Sequence, residues 1–132
     1  MKANASPKML QNLWDNGVTH LDVASITEVR LVRVLLHDAT LCFMHPVKTA
    51  RAIREAYFEH GVRTLSLDTI EEVEKTLDAT TDAEGNRAPH LRLSVRLPLS
   101  SASSALSLAS TLGADLPHAG HLLPPARPLA AV

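Results

Sequence analysis

The sequence predicts an α/β fold, specifically a partial parallel (β/α) barrel of about four βα units plus a fifth strand, with the barrel incomplete. Three observations support this prediction. Short apolar runs alternate with segments of helical periodicity, which is the pattern of parallel βαβ units. Helix-capping residues stand at the expected boundaries. Asp22, His45 and Asp68 recur 23 residues apart, each near the end of a strand-like run.

Capping residues mark the first two helices. Ser6-Pro7 is a favoured N-cap and first-turn pair, and Gly17 stands where that helix should end. Ser25 and Glu28 have the S-x-x-E spacing of a capping box, which begins the second helix. The apolar residues that should face inward recur at helical spacing: Leu10, Leu13, Trp14, Val29, Val32 and Leu36.

Two further helices are predicted in the same way, from their capping residues and apolar spacing. The third should run from about Pro46 to a C-terminal Gly61, and the fourth should be capped by Asp68 and Thr69. Their inward residues are Ala50, Ile53, Tyr57, Val73 and Leu77. Three glutamates and a lysine in the fourth helix are interpreted as a solvated face that suits the helix dipole: Glu71, Glu72, Glu74 and Lys75.

The strand-like runs are 18–23, 40–44, 62–67 and 90–97, and a first strand is expected before Lys2. Five strands cannot close a standard eight-stranded barrel, so we expect an open edge and a chain that lacks its first strand. A barrel gathers its ligands at the carboxyl ends of the strands, and so does a doubly wound sheet. The periodicity by itself does not choose between these two architectures.

Composition excludes several classes of function. The 13 basic and 14 acidic residues give a net charge of −1, which offers neither a basic nucleic-acid face nor a polybasic membrane patch. The single cysteine, Cys42, excludes an intramolecular disulfide framework and suits a reducing cytoplasm. No apolar run approaches the length of a membrane span, and the histidines show no metal-ligand spacing. We therefore expect a cytoplasmic protein without nucleic acid, membrane or metal.

Lys2 has two interpretations. From position alone it is a solvated lysine near a terminus. Alternatively, a partly desolvated amine at a barrel mouth attaches an aldehyde cofactor covalently. Its place in sequence before the first helix matches the places of Asp22, His45 and Asp68 before the following helices, which favours the second interpretation. His45 precedes Pro46 and is interpreted first as shaping a helix start, with a cofactor contact as the alternative.

Two segments support a family resemblance. The run KANASPKMLQNLWDNGVTHLDVASITEVRLV, continued by HPVKTARAIREAYFEHGVRTLSLDTIEEVEK, resembles the start of the barrel domain in the ornithine/lysine/arginine/diaminopimelate decarboxylases. These are pyridoxal-phosphate enzymes with an alanine-racemase-like barrel. The most specific motifs, taken together, are K-[AC]-N, LDVAS-x-x-E and HP-x-K. The resemblance covers most of this chain but only about the first third of a family member.

The resemblance implies roles for individual residues. Lys2 matches the cofactor lysine and would be both catalytic and cofactor-binding. Asp22 matches an acid near that lysine, and Arg96 matches an arginine near the cofactor at the end of the fifth strand. Glu28 matches a glutamate in the same neighbourhood, although its capping role explains it equally well. The family's K-F-G reads Thr111-Leu112-Gly113 here, so one lysine of the family pattern is absent.

The resemblance also implies a function. Residues 1–114 would be a partial barrel domain that binds pyridoxal 5'-phosphate, and residues 115–132 a loosely ordered tail rich in proline and alanine. The chain would be a fragment of a basic amino-acid decarboxylase of the ornithine/lysine type, from polyamine biosynthesis and a homodimeric family, and weak or inactive alone. The alternatives are a catalytically inactive interaction protein and an alanine-racemase-like cofactor-binding protein.

Overall fold

The computed structural model describes residues 5–96, and the structural statements below concern that part of the chain. Helices and strands alternate strictly along it. In chain order they are α1 (Pro7–Asp15), β1 (His20–Val23), α2 (Ile26–Leu35), β2 (Thr40–Phe43), α3 (Ala50–Phe58), β3 (Thr64–Leu67), α4 (Ile70–Ala79) and β4 (Arg92–Val95). No helix in this range is both long and apolar enough to cross a membrane.

The four strands form one parallel sheet in the order β1-β2-β3-β4. Each strand is added beside the preceding one, so the order never reverses as it does at the switch point of a doubly wound sheet. Right-handed crossovers that all step in one direction place every helix on the same face. The predicted α/β fold with a partial parallel barrel is confirmed. The predicted fifth strand, the run 90–97, contains β4 of the structure, and the residues before position 5 lie outside the described range.

Alternation along the strands separates an apolar face from a polar face. The side chains that pack under the helices are buried: Leu21, Val23, Leu41, Phe43, Leu65 and Leu67. They meet helix residues such as Val29, Val32 and Ile53, each of which is 0% exposed. The intervening strand residues are polar or small: His20, Asp22, Thr40, Cys42, Thr64, Ser66, Arg92 and Ser94. Among residues 5–96 the hydrophobic core therefore lies between the sheet and its helices.

The predicted N-caps Ser6, Ser25 and Thr69 are present, whereas Asp68 is not the N-cap of α4. Ser25 Oγ accepts a hydrogen bond from the Glu28 backbone N–H at 3.2 Å, and the Glu28 carboxylate accepts from the Ala24 N–H at 2.7 Å. Ser6 caps α1 and Thr69 caps α4 by the same side-chain contact. These bonds satisfy backbone donors that a helix leaves unpaired at its first turn. The capping role of Glu28 is thereby confirmed.

The predicted start of the third helix is wrong. Helix α3 begins at Ala50 rather than near Pro46, because Thr49 is the N-cap and its hydroxyl accepts from the Ala52 N–H at 3.2 Å. Residues 45–48 instead form a loop in which Pro46 and Lys48 are buried. A proline is favoured at a helix start, but here the carbonyls of His45 and Pro46 accept hydrogen bonds from the Lys48 ammonium within the loop.

Tyr57 joins α3 to the loop that enters β4. Its hydroxyl donates to the Pro89 carbonyl at 2.7 Å, and the Arg63 guanidinium lies 4.1 Å from its ring centroid. Tyr57→Phe should lower the free energy of unfolding by about 1 kcal/mol, because it leaves that carbonyl without its donor. Urea denaturation measures the change, with Thr27→Val, which removes an exposed hydroxyl, as the control. Equal effects of the two substitutions would show that the bond contributes nothing.

Candidate functional site

The carboxyl ends of the four strands meet at one edge of the sheet, because all the strands run in the same direction. Asp22 lies within β1, His45 follows β2, Asp68 directly follows β3 and Arg96 directly follows β4. We call this region, with these four residues, the carboxyl edge. In barrels of this kind the carboxyl ends of the strands are where ligand sites are built.

The strand register places the predicted site residues at different depths. Asp22 is opposite Cys42, whereas His45 and Asp68 lie beyond the ends of their strands. Leu67 is opposite Val95, and the Arg96 N–H donates to the Leu67 carbonyl at 3.0 Å. Equal spacing in the sequence therefore does not give equivalent positions in the sheet. Asp22 lies on the polar sheet face, and the other three residues lie along its rim.

Lys2 and Thr111-Leu112-Gly113 lie outside the described residues. Asp22 is exposed and Arg96 is half-buried. The cofactor roles implied for Lys2, Asp22 and Arg96 stay predictions.

Lys48 is a buried cation at the carboxyl edge that the sequence did not reveal as a site residue. Its side chain is only 5% exposed. The ammonium donates to the carbonyls of His45 at 2.8 Å and Pro46 at 3.0 Å, and also to the carbonyl of Ser66 in β3. The HP-x-K motif contains Lys48, but the motif by itself does not indicate that the lysine is buried.

The surroundings of Lys48 change its ionisation. Burial lowers the pKa of Lys48, the carboxylates of Glu72 and Asp68 oppose this shift, and the positive charge of Lys75 adds to it, so that the resulting pKa is about 8. Loss of hydration penalises the charged form of any amine. Lys48 thus lies in a largely water-free environment at an edge where the neighbouring charges nearly balance.

The interpretation of the fourth-helix glutamates as a solvated face is wrong for Glu72. Its side chain is buried, its Oε1 accepts from the Lys75 ammonium, and its Oε2 has no partner among the described residues. Glu72 and Thr76 lie one turn apart on α4, and the Thr76 hydroxyl is also buried with no partner within residues 5–96. Helical spacing puts both residues on the inward face, so polarity alone gave the wrong orientation.

His45 is exposed at the edge. Its Nδ1 lies 2.8 Å from the Val47 carbonyl oxygen, which fixes the plane of the ring. Its Nε2 has no hydrogen bond within residues 5–96 and can serve as a donor or acceptor for a ligand. The observed geometry is compatible with the cofactor contact that was the alternative interpretation of this residue.

The polar groups of the edge fit an anionic aldehyde cofactor such as pyridoxal phosphate. The Ser66 hydroxyl is 1% exposed and has no partner in the described part of the chain, and it lies on the sheet face away from the helices. Arg96 supplies a cation and His45 a ring nitrogen, both of which suit a phosphate. A buried hydroxyl without a partner is a hydrogen-bonding position that suits a polar ligand.

A second titratable cluster lies on the outer surface of α2 and α3. The ligand atoms of Glu55, Glu59 and His60 all lie within 4.8 Å of one another. Arg30 occupies both carboxylate oxygens of Glu55, at 2.5 and 2.7 Å, and this pairing holds the pKa of Glu55 below its usual value. We therefore attribute the cluster to an ion-pair network that joins two helices rather than to a metal site.

The sequence matches a known domain over most of its length. Residues 1–117 match the pyridoxal-binding domain of the pyridoxal-dependent decarboxylases. No protein of curated function matches the chain in sequence.

Three solved structures with a similar fold are decarboxylases of basic amino acids. Lysine decarboxylase from Selenomonas ruminantium is 27% identical, with a TM-score of 0.68 over 92% of this chain and 28% of its own. Lysine/ornithine decarboxylase from Vibrio vulnificus is 24% identical, with a TM-score of 0.66 over 89% of this chain and 27% of its own. The Paramecium bursaria Chlorella virus arginine decarboxylase is 22% identical, with a TM-score of 0.75 over 92% of this chain and 31% of its own. The chain thus spans roughly three tenths of the length of these enzymes.

Proposed function

The chain belongs to the pyridoxal-dependent decarboxylase family, and we propose that it is the cofactor-binding portion of a decarboxylase for a basic amino acid of the ornithine or lysine type. The observation that supports this most strongly is that the matched pyridoxal-binding domain covers residues 1–117. The predicted cofactor, pyridoxal 5'-phosphate, agrees with that family. The likeness to a lysine decarboxylase in both sequence and fold supports the substrate class.

Three residues have proposed roles at the cofactor. Bound pyridoxal phosphate supplies an electron sink for the carbon that loses carbon dioxide. Lys2 would hold the cofactor covalently and, when released, move a proton. Asp22 would keep the Lys2 amine in its charged form, since an opposite charge nearby favours the ammonium. Arg96 would bind the cofactor's anionic group from the end of β4.

The proposal extends to the biological setting. A decarboxylase of this substrate class would act in polyamine biosynthesis, in the cytoplasm and as a homodimer. The 132-residue chain should be weak or inactive by itself. This expectation is supported by its coverage of only 27% to 31% of the solved decarboxylases named above.

Covalent trapping tests cofactor attachment. The purified chain is mixed with pyridoxal phosphate, its absorbance is recorded, and borohydride then fixes any lysine-bound cofactor for peptide mass spectrometry. We expect a single labelled peptide that contains Lys2, since an amine in a site built for the aldehyde reacts ahead of solvated lysines.

Two variants make this test specific. Lys2→Ala should abolish the label, whereas Lys8→Ala, which removes an exposed lysine of α1, should retain it. A label spread over many lysines, or none at all in the unsubstituted chain, would reject cofactor binding by this chain. Release of carbon dioxide from ornithine and lysine, compared in the same preparation, tests the substrate class.

A further inference from the structure

The pairing of β2 with β3 is shorter than that of its neighbours. It comprises two residue pairs, Cys42 with Thr64 and Phe43 with Leu65, whereas β3 pairs with β4 over four. In a parallel ladder the carbonyl of every second residue points to the same neighbouring strand. The Leu67 carbonyl accepts from Arg96 on the β4 side, so the Ser66 carbonyl points to the β2 side. The donor that reaches it is the Lys48 ammonium.

Lys48 therefore replaces a backbone donor at the point where β2 leaves the sheet. An ammonium has three N–H donors, and three carbonyls receive them: those of His45, Pro46 and Ser66. Two of these acceptors belong to the loop after β2 and the third belongs to β3. The side chain thus ties the loop to the neighbouring strand without a continued strand pairing.

Burial alternates along this loop. Pro46 and Lys48 are buried, while His45 is exposed and Val47 is 60% exposed. The two inward residues fix the backbone, and the two outward residues are presented at the carboxyl edge. His45 is held there with its Nδ1 against the Val47 carbonyl, so its Nε2 is the ring nitrogen available to a ligand.

We propose that Lys48 is a positioning residue of the carboxyl edge, whose ammonium takes the place of β2 at the Ser66 carbonyl and thereby presents His45 to the bound cofactor. The part of this inference that concerns the cofactor rests on the proposed function. The part that concerns the loop does not.

If Lys48 fixes the position of the loop, its substitution should change the loop geometry more than the overall stability of the fold. The groups that face the Lys48 ammonium are Glu72 and Lys75 of α4, Asp68 at the end of β3 and the ring of Phe43, whose centroid lies 5.7 Å away. The second lysine offsets part of the attraction of the two acids, and burial of the ammonium has a cost. An apolar side chain of similar length should therefore retain much of the overall stability and lose the geometry of the loop.

Hydrogen exchange tests the loop. The Val47 N–H lies 3.2 Å from His45 Nδ1, to which it donates, so Lys48→Met should speed the exchange of this amide at least tenfold, while the amides in β4 change less than twofold. Lys8→Met, which removes an exposed lysine of α1, should leave the Val47 amide unchanged. Unaltered protection of the Val47 amide in Lys48→Met would overturn the inference.

A measurement on the unsubstituted chain covers the case in which Lys48→Met does not fold. The ammonium protons of a lysine bonded to three carbonyls exchange slowly with water, so a Lys48 signal should be observable by ¹⁵N NMR near pH 6. Solvated lysines give none under these conditions. Absence of that signal would equally overturn the inference.

A double-mutant cycle tests whether Lys48 acts through His45. Affinity for pyridoxal phosphate is measured for Lys48→Met, for His45→Gln and for both together. We expect each single change to weaken binding about fivefold and the double variant to bind no more weakly than His45→Gln, because residues in one pathway are not additive. Fully additive losses would exclude action through His45. If the unsubstituted chain binds no cofactor, the proposed function fails, and the exchange result still decides the role of Lys48.

Discussion

Leu65→Ala is expected to lower the free energy of unfolding by about 2 to 5 kcal/mol, the cost of emptying a well-packed site in a hydrophobic core. Leu65 is 0% exposed and lies in β3, opposite Phe43 on one side and Leu93 on the other. It belongs to the main cluster of buried residues. Within residues 5–96 the core lies between the sheet and its helices, so the truncated side chain leaves a cavity in the layer that holds them together.

Urea denaturation followed by circular dichroism measures this loss. Leu13→Ala is the matched control, because Leu13 of α1 is 36% exposed and should lose less than about 1 kcal/mol on truncation. Similar losses for the two variants would contradict the assignment of the core to the space between the sheet and its helices. A much larger loss for Leu65→Ala confirms it.

Stability should rise with pH in the alkaline range because of Lys48. In the folded chain the pKa of Lys48 is about 8, below the ordinary value of 10.5 that applies when the chain unfolds. Between these values the unfolded state binds the proton more tightly, so the free energy of unfolding increases with pH. Below pH 8 the buried ammonium lowers stability, and this penalty is relieved between pH 8 and pH 10.5. Allowing for solvent screening near the edge, we expect a gain of about 1 to 2 kcal/mol.

Other groups titrate in the same range, so the comparison must isolate Lys48. Urea denaturation at pH 7, 8, 9 and 10 is performed on the unsubstituted chain and on Lys48→Met. The difference in unfolding free energy between them should grow with pH in favour of the unsubstituted chain. A difference that is flat or falls over this interval would show that the ammonium is not penalised by burial.

Much of the fold could be predicted from local sequence signals. Ser25 with Glu28, and Thr69 with the acids that follow it, mark helix starts because their side chains bond backbone donors within the same turn. Gly17 has a φ of 86°, a conformation that glycine adopts at little cost and that ends α1 where predicted. Such signals act between residues only three or four positions apart, so they can be recognised in the sequence without knowledge of the rest of the fold.

The candidate site was less predictable. Lys48 and Glu72 are charged residues that sequence reasoning places on the surface by default, and both are buried. The burial of Lys48 depends on a distant partner, because Ser66 lies 18 residues away in the sequence. The burial of Glu72 depends on which face of α4 packs inward. The predicted start of α3 near Pro46 was wrong, because Thr49 is the N-cap and residues 45–48 form a loop. The hydrogen bond from Lys48 to the Ser66 carbonyl ties this loop to a strand that lies later in the sequence.

The sequence by itself determined the order of helices and strands, the helix caps and the family, since these follow from residues that are near one another or from motifs read directly. Only the tertiary structure decided the unreversed strand order, the register that separates Asp22 from the rim, and the inward orientation of Lys48. These features are set by contacts between segments many residues apart. The free energy of these contacts depends on which groups are buried against one another. The identity of a single side chain in the sequence does not specify its burial partners.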